Sequence, residues 1–454
     1  MTLIQDMYKQ FSRWLQVHGG VFASLFAGVV FFLPYERIVT LELAFIPGGY
    51  TLRLSHLFAG LMIVGFMMSL IKNRRKISLQ SWDYLLAAFL FSYLLSALLA
   101  QDLKRALVVW LFTVFVSLTA FVISEVVRPE WSKYIEPVLA TTTWIVLAFG
   151  FYQYLGDSVG LSTDLTGLRD LYTRTAIGFP RIQSFGLEPL YYASFLQIPL
   201  YYYVVQYVFG EKKRPWLLLA IITQIILTVS RGAVIAVTFA MLVFLASLIV
   251  MRWKKTVWVN VAKLFGIVGV GILSSYLLIL ASGQLTKLTE KPDSAGAQEA
   301  KNRVESTFRQ TTNLEEQDDR ARNRILAISA WKQNPILGIG PGNFGAFAVQ
   351  EFPAYSGSSG YIIVNNEPLE LLSEAGLVGF TLFLTLILVL VYYAVRLILK
   401  DKKLKQSTSL IAISGILYLI ALAVQYQTFS TLYIMHIWFV IGMMMYIARH
   451  AKHH

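Results

Sequence analysis

The sequence predicts an all-α, polytopic integral membrane protein, and three observations carry that prediction. The chain of 454 residues is 56% hydrophobic and only 14% charged, with a mean hydropathy of +0.59, well above soluble domains of average composition. Apolar runs long enough to cross a hydrocarbon core of about 30 Å, which takes roughly 20 helical residues, recur from one end to the other. Lysine and arginine alternate between the two ends of those runs, as membrane topology requires.

The runs read as about twelve transmembrane helices, at 20–35, 54–71, 82–100, 106–127, 135–156, 187–209, 215–230, 232–251, 259–283, 375–399, 408–426 and 429–448. The first is followed by many others and lacks a small-residue cleavage site, so it is expected to remain as an anchor. Lys9 and Arg13, Lys72 to Lys76, Arg128 and Lys133, Lys212 to Arg214, Arg252 to Lys255 with Lys263, Arg396 to Lys405, and Arg449 with Lys452 fall on one side. The positive-inside rule makes that side the cytoplasm and puts both termini in it. The opposite loops carry few cations: Arg37, Arg53, Lys104, Arg105, Arg169, Arg174, Arg181 and Arg231.

Topology therefore accounts for most of the net charge of +13. No basic stripe is interleaved with exposed aromatics, so no nucleic-acid partner is expected, and anionic membrane lipids are the ordinary counterpart. Cysteine is absent, which excludes disulfides and thiolate chemistry. No metal-ligand spacing occurs, and His56 and His436 stand alone within apolar runs, as core histidines do.

One segment breaks the rhythm. Residues 284–374 separate the ninth and tenth runs and are too long for a simple connection, which divides the chain into helices 1–9 over 1–283, an extracytoplasmic loop, and helices 10–12 with a tail over 375–454. The loop's first part, to about Asp319, is polar, and its Lys291-Pro292-Asp293-Ser294-Ala295-Gly296 reads as turn or mobile chain. In the second part Ile325, Ile328 and Trp331 recur at helical spacing, and Asn334-Pro335 stops the helix. That helix is expected to be amphipathic, on the membrane surface or capping the bundle. Gly338, Gly340, Pro341 and Gly342 then form a tight turn. It resembles a phosphate-cradling glycine loop but lacks the following Lys-Ser/Thr and the preceding strand.

Candidate chemistry gathers near the outer ends of the runs. Arg181 stands just before the sixth, Arg231 in the short turn "TVSRGA" between the seventh and eighth, and Arg324 in the loop helix. A guanidinium is always charged and holds phosphate oxygens with two prongs, so converging arginines at lipid level suit a diphosphate. Pairing with carboxylates or lipid headgroups is the simpler alternative. Arg231 is the strongest of the three, because its turn has no room for a solvated excursion and such placement is costly without an anionic partner.

Glu188 and Glu367 each precede a proline at the start of a run, where a carboxylate favours the helix dipole. Either that preference or a general-base role accounts for them. Asn365 and Asn366 lie at the expected N-cap of the helix beginning near Glu367, and capping alone explains one of them. An amide can orient a hydroxyl but has no useful basicity.

"PRIQSFGLEPLYYASFL", "LTVSRGA", "RNRILAISAWKQNPILGIGPGNF" and "NNEPLELLSEAGLVGF", in this order and with the large loop before the last three runs, resemble the bacterial O-antigen ligase and polymerase superfamily of membrane glycosyltransferases. The resemblance implies a GT-C-like fold in the bacterial inner membrane. It implies a glycan donor on undecaprenyl diphosphate at the outer face, and transfer to an acceptor hydroxyl without cofactor or obligatory metal. By motif, Arg181, Arg231 and Arg324 become diphosphate ligands, with Glu188 a possible addition. Ligases of this superfamily carry a histidine where this chain has Asn365, and the double-asparagine form is expected in members that polymerise repeat units. Polymerisation is thus the leading expectation, with Glu367 as base, Asn365 and Asn366 orienting the acceptor glycan or lipid, and a chain-length regulator protein as a possible partner. Ligation of a finished glycan to a lipid A-core or other acceptor is the alternative. Export of the lipid-linked glycan ranks below both, because transporters place ionisable groups near the bilayer midplane.

Overall fold

The structure, a computed structural model, describes residues 20–38, 40–42, 51–73, 77–211, 213–289, 314–352, 362–401, 404 and 406–453. Its helices are α1 (Val21–Phe32), α2 (Leu54–Asn73), α3 (Ser81–Leu98), α4 (Leu103–Val126), α5 (Ser132–Ser158), α6 (Pro189–Phe209), α7 (Pro215–Leu227), α8 (Arg231–Val250), α9 (Lys255–Thr289), α10 (Leu314–Gln333), α11 (Phe344–Glu351), α12 (Glu367–Lys400), α13 (Ser407–Gln425) and α14 (Met435–His453). Single helical turns occur within 129–177, and the two-residue strands Leu41–Glu42 and Thr51–Leu52 pair antiparallel. Each apolar run read from the sequence holds a helix. Among the described residues eight of these, α2 to α5, α8, α9, α12 and α13, are long and apolar enough to cross a membrane. The apolar helices α1 and α7 are shorter, at 12 and 13 residues. Helix α6 dilutes its apolar run with glutamines and an internal proline, and α14 ends in charged residues.

By compactness the chain forms two units. One comprises Met1–Thr142, Ile325–Ile416 and Phe429–His454; the other comprises Thr143–Arg324 and Leu417–Thr428. In the first, α4 packs on α14 and α3, α12 packs on α3 and α14, and α1 packs on α2. Arg449 ties three of these helices together. Its Nη2 meets both oxygens of Asp83 at 2.9 Å, its Nη1 lies 3.0 Å from Glu125 Oε1, and its Nε donates to Ser124 Oγ. A cation that reads from sequence as a topology signal is thus also a half-buried, multiply bonded clamp. In the second unit α6 packs on α7, α8 and α9, and buried polar contacts hold the segment before α6. Ser184 donates from its backbone to Gln153 Oε1 (2.7 Å) and from Oγ to the Val146 carbonyl (2.8 Å), which the Tyr192 hydroxyl also reaches.

Much of the segment read as one long loop is helical. Helix α9 continues to Thr289, α10 ends at Gln333 immediately before Asn334-Pro335, and α11 follows. The mobile chain expected over 284–319 falls mainly on 290–313, outside the described residues. Helix α10 buries small residues, Ala327 and Ala330, with Ala327 in a cluster with Phe344, Ala348 and Val364, while Ile325 and Ile328 are exposed.

The glycine turn belongs to a helix break. Helix α12 is interrupted at Gly376, whose φ of 63° and ψ of −170° no helix allows. Such a break leaves carbonyls on one side and N–H groups on the other without helical partners, a costly arrangement in an apolar setting. Residues 335–340 supply both kinds. Ile339 and Gly340 donate to the carbonyls of Ser373 and Glu374 at 2.9 and 3.0 Å, and the carbonyls of Pro335 and Ile336 accept from Leu377 and Val378 at 2.9 and 3.2 Å. The close approach needs glycine at both contacts. A Cβ on Gly338 would lie 2.4 Å from the Glu374 carbonyl carbon, and one on Gly376 would lie 2.2 Å from the Ile336 oxygen. The "GIGPG" motif is therefore a docking surface for broken backbone. Gly376→Ala combines positive φ with backbone overlap, so it is expected to abolish recovery of monodisperse protein from detergent. An elution profile like the parent's would contradict this reading.

Candidate active site

The short helix before the break carries three carboxylates, Glu367, Glu370 and Glu374, at i, i+3 and i+7 and hence on one face. Pro368 at its start and Asn366 at its N-cap explain why it begins where it does, for the Asn366 side chain accepts from Leu369 N at 3.1 Å. Asn366 is thus the asparagine that capping accounts for. Asn365, just outside the helix, has a φ of 56°, a left-handed conformation that asparagine tolerates better than other side-chain-bearing residues.

The three glutamates are bonded differently. Glu374 accepts from the N–H groups of Gly342 and Phe344 at the start of α11, and its carbonyl accepts from Ser96 Oγ at 2.6 Å. Glu370 accepts from Val364 N at 2.8 Å and from Ser430 Oγ. Arg105, at the first turn of α4, is close enough to both for their charges to interact. Glu367 is held by its backbone N–H to Phe429 O at 3.2 Å and by Thr431 N donating to its carboxylate. Among the described residues its Oε2 has no hydrogen-bond partner, although the residue is 5% exposed. A buried carboxylate oxygen without a partner is rare and costly, and such groups concentrate where chemistry uses them.

The arginines lie in the second unit, which gathers them round two adjoining turns. Arg181 donates from Nε to the Thr228 carbonyl at 3.1 Å, while its guanidinium stands over the Tyr172 ring, 5.4 Å from the centroid. Burial pushes the Tyr172 phenol up, so the ring remains neutral beside the cation. Arg231, three residues beyond Thr228, opens α8 with an exposed side chain. Its neighbour Gly232 abuts Thr428, where a Cβ would come within 2.4 Å of Oγ1, and the adjacent Gln427 carbonyl accepts from Arg324 Nη2 at 2.9 Å. Between Arg181 and Arg231 the backbone of Val229 is left-handed, with φ 51°. For a β-branched residue this costs on the order of 1–3 kcal/mol, strain of the kind found at functional sites. Glu188, by contrast, has its side chain about half exposed, 3.9 Å from Arg169. A pair of that kind contributes little to stability.

Residues 216–384 match the family described as O-antigen ligase. That stretch, a little over a third of the chain, supports a place in the O-antigen ligase and polymerase superfamily. The matched stretch contains Arg231, Arg324, Asn365, Asn366 and all three glutamates; Arg105, Arg181, Glu188 and Ser430 lie outside it. A comparison with curated proteins returns no match. The match and the long apolar helices support an integral membrane protein with glycosyltransferase-like activity of ligase or polymerase type, the family's substrates being in general a lipid-linked glycan and an acceptor. Among the described residues no group of three or more His, Asp or Glu side chains is placed to hold a metal ion.

Sequence reasoning overlooked Glu370, Glu374, Arg105 and Ser430. The i, i+3, i+7 spacing was a usable signal for the glutamates, and scarcity of cations on the outer side was one for Arg105. Nothing local marks Ser430, because its role arises from contact with residues 60 or more positions earlier.

Proposed function

We propose that this protein polymerises lipid-linked repeat units of O-antigen or another surface polysaccharide at the outer face of the bacterial inner membrane, with both termini in the cytoplasm. The donor is a glycan on undecaprenyl diphosphate. Arg181, Arg231 and Arg324 hold the diphosphate and stabilise the charge that grows on it. The acceptor hydroxyl oxygen attacks the anomeric carbon, the carbon–oxygen bond to the diphosphate breaks, and undecaprenyl diphosphate departs with the electron pair. The hydroxyl proton passes to Glu367, while Asn365 and Asn366 orient the acceptor. The observation that carries this reading is the Oε2 of buried Glu367, which has no partner among the described residues, two residues after the asparagine that stands where ligases of the superfamily carry histidine. A carboxylate there supplies the proton acceptor that no asparagine can.

Ligation is the second reading, favoured by the description of the matching family. Purified protein given one undecaprenyl-diphosphate-linked repeat unit, with and without lipid A-core, separates the two. A product ladder without core supports polymerisation, and a chain-length regulator added to that reaction should narrow the ladder. Transfer that occurs only when core is present would replace polymerisation with ligation.

A further inference from the structure

The left-handed backbone at Asn365 is tied to two side chains to which neither the resemblance nor the proposed chemistry gives a role. Its N–H donates to Ser430 Oγ at 3.0 Å, and Ser430 Oγ in turn donates to Glu370 Oε2. The same Glu370 oxygen accepts from the preceding N–H, that of Val364, at 2.8 Å. Two successive backbone donors thus end on one carboxylate oxygen, one directly and one through a hydroxyl. This pairing fixes the peptide on the N-terminal side of Asn365 while Asn366, as N-cap, fixes the other side through Leu369 N. A residue at φ 56° with both neighbours pinned has a fixed direction for its Cα–Cβ bond, from which its amide extends. Without the tether, the ordinary β or right-handed conformations become available, and they carry the amide elsewhere.

We propose that Ser430 and Glu370 are positioning residues that hold Asn365 in the left-handed conformation and so set the direction in which its amide meets the acceptor hydroxyl. Neither touches substrate, and both act through Asn365. The inference rests on the proposed acceptor role of Asn365 and extends it to a residue on a distant part of the chain, outside the matched family segment.

Ser430→Ala, Ser430→Thr, Glu370→Gln, Asn365→Ala and the double variant Ser430→Ala/Asn365→Ala are compared in the repeat-unit assay, each as a monodisperse detergent-extracted protein. Ser430→Ala is expected to lower kcat roughly 10-fold or more, as expected for misplaced positioning groups, with the donor KM unchanged. Ser430→Thr keeps the hydroxyl and should restore most of the rate. Glu370→Gln keeps an acceptor for both donors and should fall between. The decisive comparison is the double variant, which should be no slower than Asn365→Ala, because a tether has nothing to aim once the amide is gone. A further loss of the same size in the double variant would overturn the positioning role and leave Ser430 a purely structural contact. Parental kcat in Ser430→Ala would overturn it as well. Parental kcat in Asn365→Ala would remove the acceptor role of Asn365 itself, a separate failure that the single variant reports alone.

Discussion

Glu367→Gln is expected to lower turnover by roughly 10²–10⁴-fold, the range typical of losing a positioned general base, while donor binding persists. Glutamine has nearly the same shape, and its carbonyl can still accept from Thr431 N, so the variant should fold and reach the membrane. What it loses is an oxygen able to take a proton. The parent rate should therefore decline on acidification as that carboxylate is protonated, and the residual rate of the variant should not follow the same curve. Steady-state turnover across pH, with donor binding measured separately, checks both halves. A rate within a few fold of the parent would exclude Glu367 as proton acceptor.

Arg231→Ala and Arg324→Ala are each expected to reduce transfer by about 10²–10³-fold, as when a group that stabilises leaving-group charge is deleted. Lysine at either position restores charge but not the two-pronged geometry, so recovery should be partial. Arg324 also donates to the Gln427 carbonyl, so its loss frees a helix-end carbonyl; Arg231, at the exposed first turn of α8, is the cleaner test. Normal turnover in both alanine variants would remove the diphosphate role.

Hydropathy and charge made the helical membrane class legible, since a span must be long, apolar and flanked by asymmetric cations whatever else the chain does. The helix stop at Asn334-Pro335 and the cap at Asn366 were legible for the same reason: they are written in adjacent residues. The purpose of Gly338 and Gly376 was not, because each is required by the approach of a segment about 38 residues away. Local reading saw a loop of glycines and could not see the broken helix that it completes. Likewise the sequence offered three separate arginines, and only the packing of Gly232 on Thr428 places Arg324 beside the turn that holds Arg231 and faces Arg181. Among the acids, spacing alone treated Glu367 as one helix-start carboxylate like Glu188. Burial separated them, since Glu188 shares an exposed ion pair whereas Glu367 keeps a buried oxygen without a partner among the described residues.

The most direct test is to follow one reaction of the purified protein with a single lipid-linked repeat unit by mass spectrometry, counting undecaprenyl diphosphate released against glycosidic bonds formed. Polymerisation predicts one diphosphate for every new bond and a ladder of lipid-linked chains, both suppressed in Glu367→Gln. Diphosphate release without lengthening, or neither product from an active preparation, would contradict it.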